Sequence, residues 1–172
     1  MIFARKFFRD SGIMPSSGGL FTAAIIGAVY VVDRITKYIV TIKMNEGESI
    51  PILKGIFHLT LVHNTGGAFG MMKGWSYVFT AAAVIFIIVA VLYVSFRWFS
   101  MTLRDKAAVC LVVGGTLGNL SDRLKLGYVV DLFDFRVWPV FNVADSCITV
   151  GAALLIFSIL MSSREKKKQC TE

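Results

Sequence analysis

With 172 residues, 56% of them hydrophobic and only 17% charged, the chain is far more apolar than soluble domains are. Its mean hydropathy of +0.70 excludes a soluble binding module and leaves room for about four membrane spans of ~20 residues each in one domain. The formal net charge of +7 would suit a nucleic-acid binder. However, Arg5, Lys6, Arg9, Arg97, Arg104, Lys106, Arg164 and Lys166 to Lys168 flank apolar runs, as cytoplasmic membrane anchors do, and no nucleic-acid partner is expected.

In chain order, residues 1–19 read as a basic cytoplasmic lead that is retained, because no small-residue cleavage site closes its apolar run. A first span is expected from Leu20 to about Ile39, interrupted late by Asp33, Arg34 and Lys37. Residues 43–74 carry charges and breaks at Pro51 and Gly55, and the alternation over Ile56 to Val62 predicts short strands. A second span, about Tyr77 to Phe96, is uninterrupted and carries no Asp, Glu, Lys, Arg or His, as suits lipid-facing scaffold. The third, Ala107 to about Leu120, is short and glycine-rich. Residues 124–140 hold a strand-like Tyr128-Val129-Val130 and are expected to act as a lid. The fourth span covers about Val143 to Leu160, within a spanning domain of 20–162 ahead of a basic cytoplasmic tail, 163–172. The fold class read from this pattern is an all-α membrane protein, four transmembrane helices with a small extracytoplasmic β element.

The positive-inside rule puts both termini and the Arg97–Lys106 loop in the cytoplasm, and residues 43–74 and 124–140 outside. Asp33, Lys37, Asn64, Asn119, Asp122, Asp131, Asn142 and Asp145 then all fall near the outer surface, from separate stretches of sequence. Ionisable groups at membrane depth are costly and mark functional sites, so this shared level points to one site.

Two phrases couple an Asn to an Asp three residues on: GGTLGNLSDR (Gly114 to Arg123) and FNVADS (Phe141 to Ser146). Residues three or four apart share a helix face, so Asn119 with Asp122 and Arg123, Asn142 with Asp145, and Asp33 with Lys37 form local polar clusters. Two carboxylates within hydrogen-bonding range share a proton and titrate as a unit. Such a dyad can deprotonate water and protonate a leaving amine, as aspartic proteases do, although their Asp-Thr/Ser-Gly phrase is absent here. Spacing alone nominates Asp122 with Asp145.

Over nearly its whole length the chain resembles the lipoprotein signal peptidases, the type II signal peptidases of bacteria. The resemblance rests on DRITK (Asp33 to Lys37), NTGGAF (Asn64 to Phe69), GGTLGNLSDR, GYVVD (Gly127 to Asp131) and FNVADS, in that order. It implies an inner-membrane aspartic endopeptidase whose catalytic residues match Asp131 and Asp145, with Asp122 as structural support or the competing partner. Asn64, Gly66, Asn119, Arg123 and Asn142 are expected to hold the substrate or orient the dyad, with Asp33 and Lys37 bracing it from the first span. The implied substrate is a diacylglyceryl-modified prolipoprotein, cut before its lipidated Cys. Membrane lipids are the other expected partner, no cofactor or metal is implied, and a monomer suffices. The chain departs from the family pattern at Arg34, where Gln is common and an Arg is expected to snorkel; in a short Asp131–Asp145 linker; and in a long N-terminal lead.

Other features have plainer readings. Gly114 and Gly118 fit close helix packing. Trp75, Trp98 and Trp138 fit an interfacial belt. Asp134 reads as a solvated loop acid. His58 and His63 lack a third ligand at zinc spacing. Cys110, Cys147 and Cys170 make no disulfide framework and read as structural thiols. A small transporter is the rival from another class, but it would show repeated halves and a midplane site, whereas no repeat is visible here.

Overall fold

The computed structural model describes residues 16–67, 72 and 74–169. Most of the predicted N-terminal lead, Ala68 and Phe69 of NTGGAF, and Cys170 lie outside the described residues. Four long helices, α1 (Ser16–Lys43), α2 (Ser76–Arg97), α3 (Leu103–Leu126) and α4 (Val143–Gln169), are joined at one end by strands β1 (Ser49–Leu53), β2 (Phe57–Asn64) and β3 (Val129–Asp134). At the other end a single 3-10 turn, Trp98–Ser100, links α2 to α3.

α1, α2 and α4 are long and apolar enough to cross a membrane, over Gly18–Lys43, Ser76–Ser100 and Val143–Ser162. They fit a membrane protein. The third predicted span differs from its expectation: α3 is 24 residues long, and it does not join those three by hydropathy. Its ends carry Arg104, Asp105 and Lys106, then Asp122, Arg123 and Lys125, and its middle is rich in glycine. It packs against all three other helices and buries Val112, Val113, Gly114, Gly115, Gly118 and Asn119. An interior helix needs less lipid-facing apolar surface, which is why hydropathy under-reads it.

Small residues set how closely these helices meet. A Cβ on Gly115 would run into the Ala144 carbonyl of α4, and one on Gly118 would lie 2.6 Å from Asp33 Oδ2 of α1. The start of α3 is fixed by a capping box between Thr102 and Asp105, and its end by Gly127 at φ 82°, a left-handed position that glycine adopts without strain.

β1 and β2 form an antiparallel hairpin, and β2 pairs antiparallel with β3, giving the order β1-β2-β3. Pro51 is tolerated because β1 is an edge strand. The sheet packs Leu61, Val130 and Leu132 onto Val40 and Met44 at the end of α1, so the strands are fastened to the helix that carries Asp33 and Lys37. The strand expected at Tyr128–Val130 is longer, and Asp134 is its buried last residue rather than a solvated loop acid. Asp134 accepts from Thr60 Oγ1 at 2.8 Å and pairs with Arg136 Nη1 at 3.0 Å, which holds its carboxyl below the usual range despite burial. The segment expected as a lid is therefore pinned at its base, where Phe133 and Phe141 also form a β-bridge.

Candidate functional site

The polar residues of the two Asn-to-Asp phrases reach one place by different local devices. In FNVADS the spacing of three is a helix N-terminus. Asn142 caps α4, its Oδ1 accepting the Asp145 amide at 2.8 Å, while Asp145 Oδ2 accepts the Asn142 amide at 3.3 Å. In GGTLGNLSDR, Asn119 and Asp122 lie inside α3 and part company. Asn119 Nδ2 donates to Asp145 Oδ1 at 2.7 Å, whereas Asp122 turns to α1 and to the Val130 amide.

Asp131 arrives from β3. The register sets Asn64 opposite Val129, so Asp131 is the diagonal neighbour of Asn64 on the same sheet face. Asn64 Nδ2 donates to Asp131 Oδ2 at 3.0 Å, and Asn142 Nδ2 to Asp131 Oδ1 at 2.7 Å. Asn142 Nδ2 also reaches Asn119 Oδ1 at 3.1 Å. The amides of Asn119 and Asn142 thus join Asp145 to Asp131. Burial and the nearby Asp145 charge push Asp131 up to about 7, against the lowering effect of Asn64, Asn142 and Lys37.

Both carboxylates line an open cleft of about 610 Å³. Asn64, Gly67, Asn119 and Arg123 form its polar wall; Phe135, Trp138 to Phe141 and Ile148 to Val150 are among its remaining lining. Arg123 Nη2 donates to the Gly66 carbonyl at 3.2 Å, and its guanidinium lies over Phe79 at 5.5 Å. The Gly66 amide in turn donates to Asn64 Oδ1 at 2.9 Å, leaving the Asn64 amide N–H to face Asp131. Among the described residues no cluster of three or more His, Cys, Asp or Glu could hold a metal ion.

Behind this cleft lies a buried ion cluster. Lys37 Nζ contacts Asp33 Oδ2 at 2.9 Å and Asp122 Oδ2 at 2.8 Å; Arg34 contacts Asp33 at 3.0 Å and Asp122 Oδ1 at 2.7 Å. Asp33 and Asp122 are 0% and 1% exposed, so each needs these cations. Asp33 Oδ1 accepts the Ala144 amide at 3.0 Å, tying α1 to the first turn of α4. One expectation changes here: Arg34 does not reach away toward headgroups but folds back on the two carboxylates. Asp122 pairs with Arg34 and Lys37 and accepts the Val130 amide. Arg34 was absent from the sequence-derived site; its position beside Asp33 was the signal available.

The sequence-derived residues therefore form one connected constellation: Asp131, Asp145, Asn64, Asn119 and Asn142 around the cleft, Gly66 and Arg123 at its rim, and Asp33, Lys37 and Asp122 behind it. Chemically, two carboxylates joined through amide side chains in one open groove suit general acid–base attack on a carbonyl.

Comparison with known proteins identifies the family. The family model described as Signal peptidase (SPase) II matches residues 25–161. A lipoprotein signal peptidase of Halothermothrix orenii is 46% identical over 133 residues, covering 77% of this chain and 90% of the relative. That of Pelotomaculum thermopropionicum is 43% identical over 155 residues, covering 87% and 98%. A solved structure described as a bacterial membrane enzyme superposes with a TM-score of 0.79 at 31% identity, covering 85% of this chain and 91% of the other. By sequence along most of its length and by fold, the chain belongs to the signal peptidase II family.

Proposed function

We propose that the chain is a membrane aspartic endopeptidase that removes the signal peptide from diacylglyceryl-modified prolipoproteins, cutting before the lipidated Cys. The observation that carries this reading is the amide-linked pair Asp131 and Asp145 in one open cleft. The names of its relatives supply the substrate class.

In this mechanism Asp131, with its carboxyl raised to about 7, carries the proton at the start of the cycle. Asp145, in the first turn of α4 where a helix N-terminus favours an anion, is the ionised partner. Asp145 takes a proton from water as the oxygen attacks the scissile carbonyl. Asp131 donates its hydrogen bond to that carbonyl, and the amine leaves with the proton that Asp145 gained. Asn64, Asn119 and Asn142 orient the two carboxylates, and Arg123 with Gly66 shapes the rim for the substrate backbone. No metal takes part.

The reading also sets α3 as a fourth span, both termini in the cytoplasm, and the sheet with its cleft at the outer leaflet of the plasma membrane. There a substrate can keep its acyl chains in the bilayer while its backbone enters the cleft. A monomer holds every residue invoked. The test is cleavage by purified protein in detergent micelles, with a diacylglyceryl-modified precursor compared with the same precursor unmodified and the products followed by mass spectrometry. The expected result is a cut immediately before the modified Cys; cleavage indifferent to the lipid, or none, refutes the assignment.

A further inference from the structure

The ion cluster behind the cleft has one member in contact with the site itself. Lys37 is 3% exposed, and its ammonium has three neighbours: Asp33 Oδ2, Asp122 Oδ2 and, at 3.0 Å, Asn119 Oδ1. An ammonium has three hydrogens, so this geometry uses all of them. The hydrogen given to Asn119 has a consequence. A carboxamide presents oxygen on one side and N–H on the other, and with its oxygen held by Lys37 the Asn119 N–H faces Asp145 Oδ1 at 2.7 Å. A flipped amide would set N–H against ammonium and oxygen against carboxylate.

Asn142 also reaches Asn119 Oδ1, but its Nδ2 has two hydrogens for three acceptors. These are Asp131 Oδ1 at 2.7 Å, Asn119 Oδ1 at 3.1 Å and the Val130 carbonyl at 3.3 Å. The shortest contact goes to Asp131 and the remaining hydrogen lies between Asn119 and Val130, so Asn119 Oδ1 has two donors, of which Lys37 is the nearer and the charged one. We propose that Lys37 is a positioning residue for the dyad: by clamping the Asn119 carboxamide oxygen it fixes the N–H that holds Asp145. The proposal rests on the dyad reading above and assigns Lys37 a task in turnover beyond pairing with carboxylates.

Arg34 makes the idea testable, because it contacts both Asp33 and Asp122 and leaves each a cationic partner when Lys37 is removed. The experiment measures kcat and KM on the lipidated precursor for Lys37→Met, Lys37→Gln, Asn119→Ala and the double variant Lys37→Met/Asn119→Ala. Thermal unfolding in the same detergent sets the folded fraction. Lys37→Met is expected to lower kcat on the order of ten- to a hundredfold, the loss of one charge-assisted hydrogen bond, with KM little changed. Lys37→Gln, which keeps an N–H donor without the charge, recovers most of that loss. In the Asn119→Ala background Lys37→Met causes no further fall in kcat. Fully multiplicative losses in the double variant, or equal kcat for the Met and Gln variants, overturn the proposal. Those results leave the dyad standing as long as Asp131→Asn and Asp145→Asn are inactive, while activity in both of these refutes the dyad itself.

Discussion

Replacing Asp131 with Asn removes a buried ionisable carboxyl with little change in side-chain shape, and the sign of the stability effect follows from where that carboxyl titrates. The folded protein raises the Asp131 carboxyl from 3.8 to about 7, so between those values the native state binds a proton that the unfolded chain has released. Stability therefore falls as pH rises through this window, because the native state must either keep the proton or bury an anion. At about 1.4 kcal/mol per unit the full effect is about 4 kcal/mol, an upper bound reached above pH 7. For a chain of this size that is a difference of roughly 10 °C in Tm across the window. Asp131→Asn has no such proton to lose. Its cost is one amide donor from Asn64 or Asn142 left without an acceptor, about 1 kcal/mol at every pH. The two proteins should thus cross: the variant is slightly less stable at pH 4 and clearly more stable at pH 8. Thermal unfolding in detergent at intervals from pH 4 to 8 checks this. Parallel curves for the two proteins would show that Asp131 is not held protonated, and would refute the reasoning. Through the same group, kcat/KM of the native enzyme should decline as pH rises past about 7.

Asp122→Asn should cost about 3 kcal/mol, because it leaves Arg34 and Lys37 with a single buried carboxylate; unfolding curves measure it, and kcat of the folded fraction should fall far less than in the dyad variants. Gly118→Ala places a methyl 2.6 Å from Asp33 Oδ2, so a loss of about 1–3 kcal/mol is expected from calorimetry, together with reduced turnover as α1 is displaced from α3. Thr102→Ala breaks the capping box at the far end of α3 and should lower stability by about 1 kcal/mol, with precursor cleavage unchanged.

How far the sequence revealed the site can be judged residue by residue. That Asp33, Lys37, Asn119, Asn142 and Asp145 come together was legible, since helix period and flanking cations are local signals. That Asp122 and Asp131 have different settings was not, because an Asn-to-Asp spacing of three has two physical meanings. At Asn142 it is a helix cap that leaves Asp145 beside the cleft, and inside α3 it is only a shared face, from which Asp122 turns toward Arg34 and Lys37. Asp131 is delivered by strand register, a long-range property that periodicity does not report, and its catalytic role was nominated through resemblance alone. Arg34 was misread for a similar reason. An Arg near a membrane surface ordinarily snorkels, but two carboxylates within reach, one of them on another helix, outweigh that tendency. α3 was expected to be short because its glycines and terminal charges depress hydropathy, although these same residues let it lie inside the bundle.

The two carboxylates carry the proposed chemistry. The direct measurement is the single-turnover rate of precursor cleavage by Asp131→Asn and Asp145→Asn beside the native enzyme, with folding verified by thermal unfolding. General acid–base catalysis by this pair predicts that each variant is slowed on the order of 10³-fold or more while remaining folded. A folded variant of either that cleaves at near the native rate would contradict the central claim.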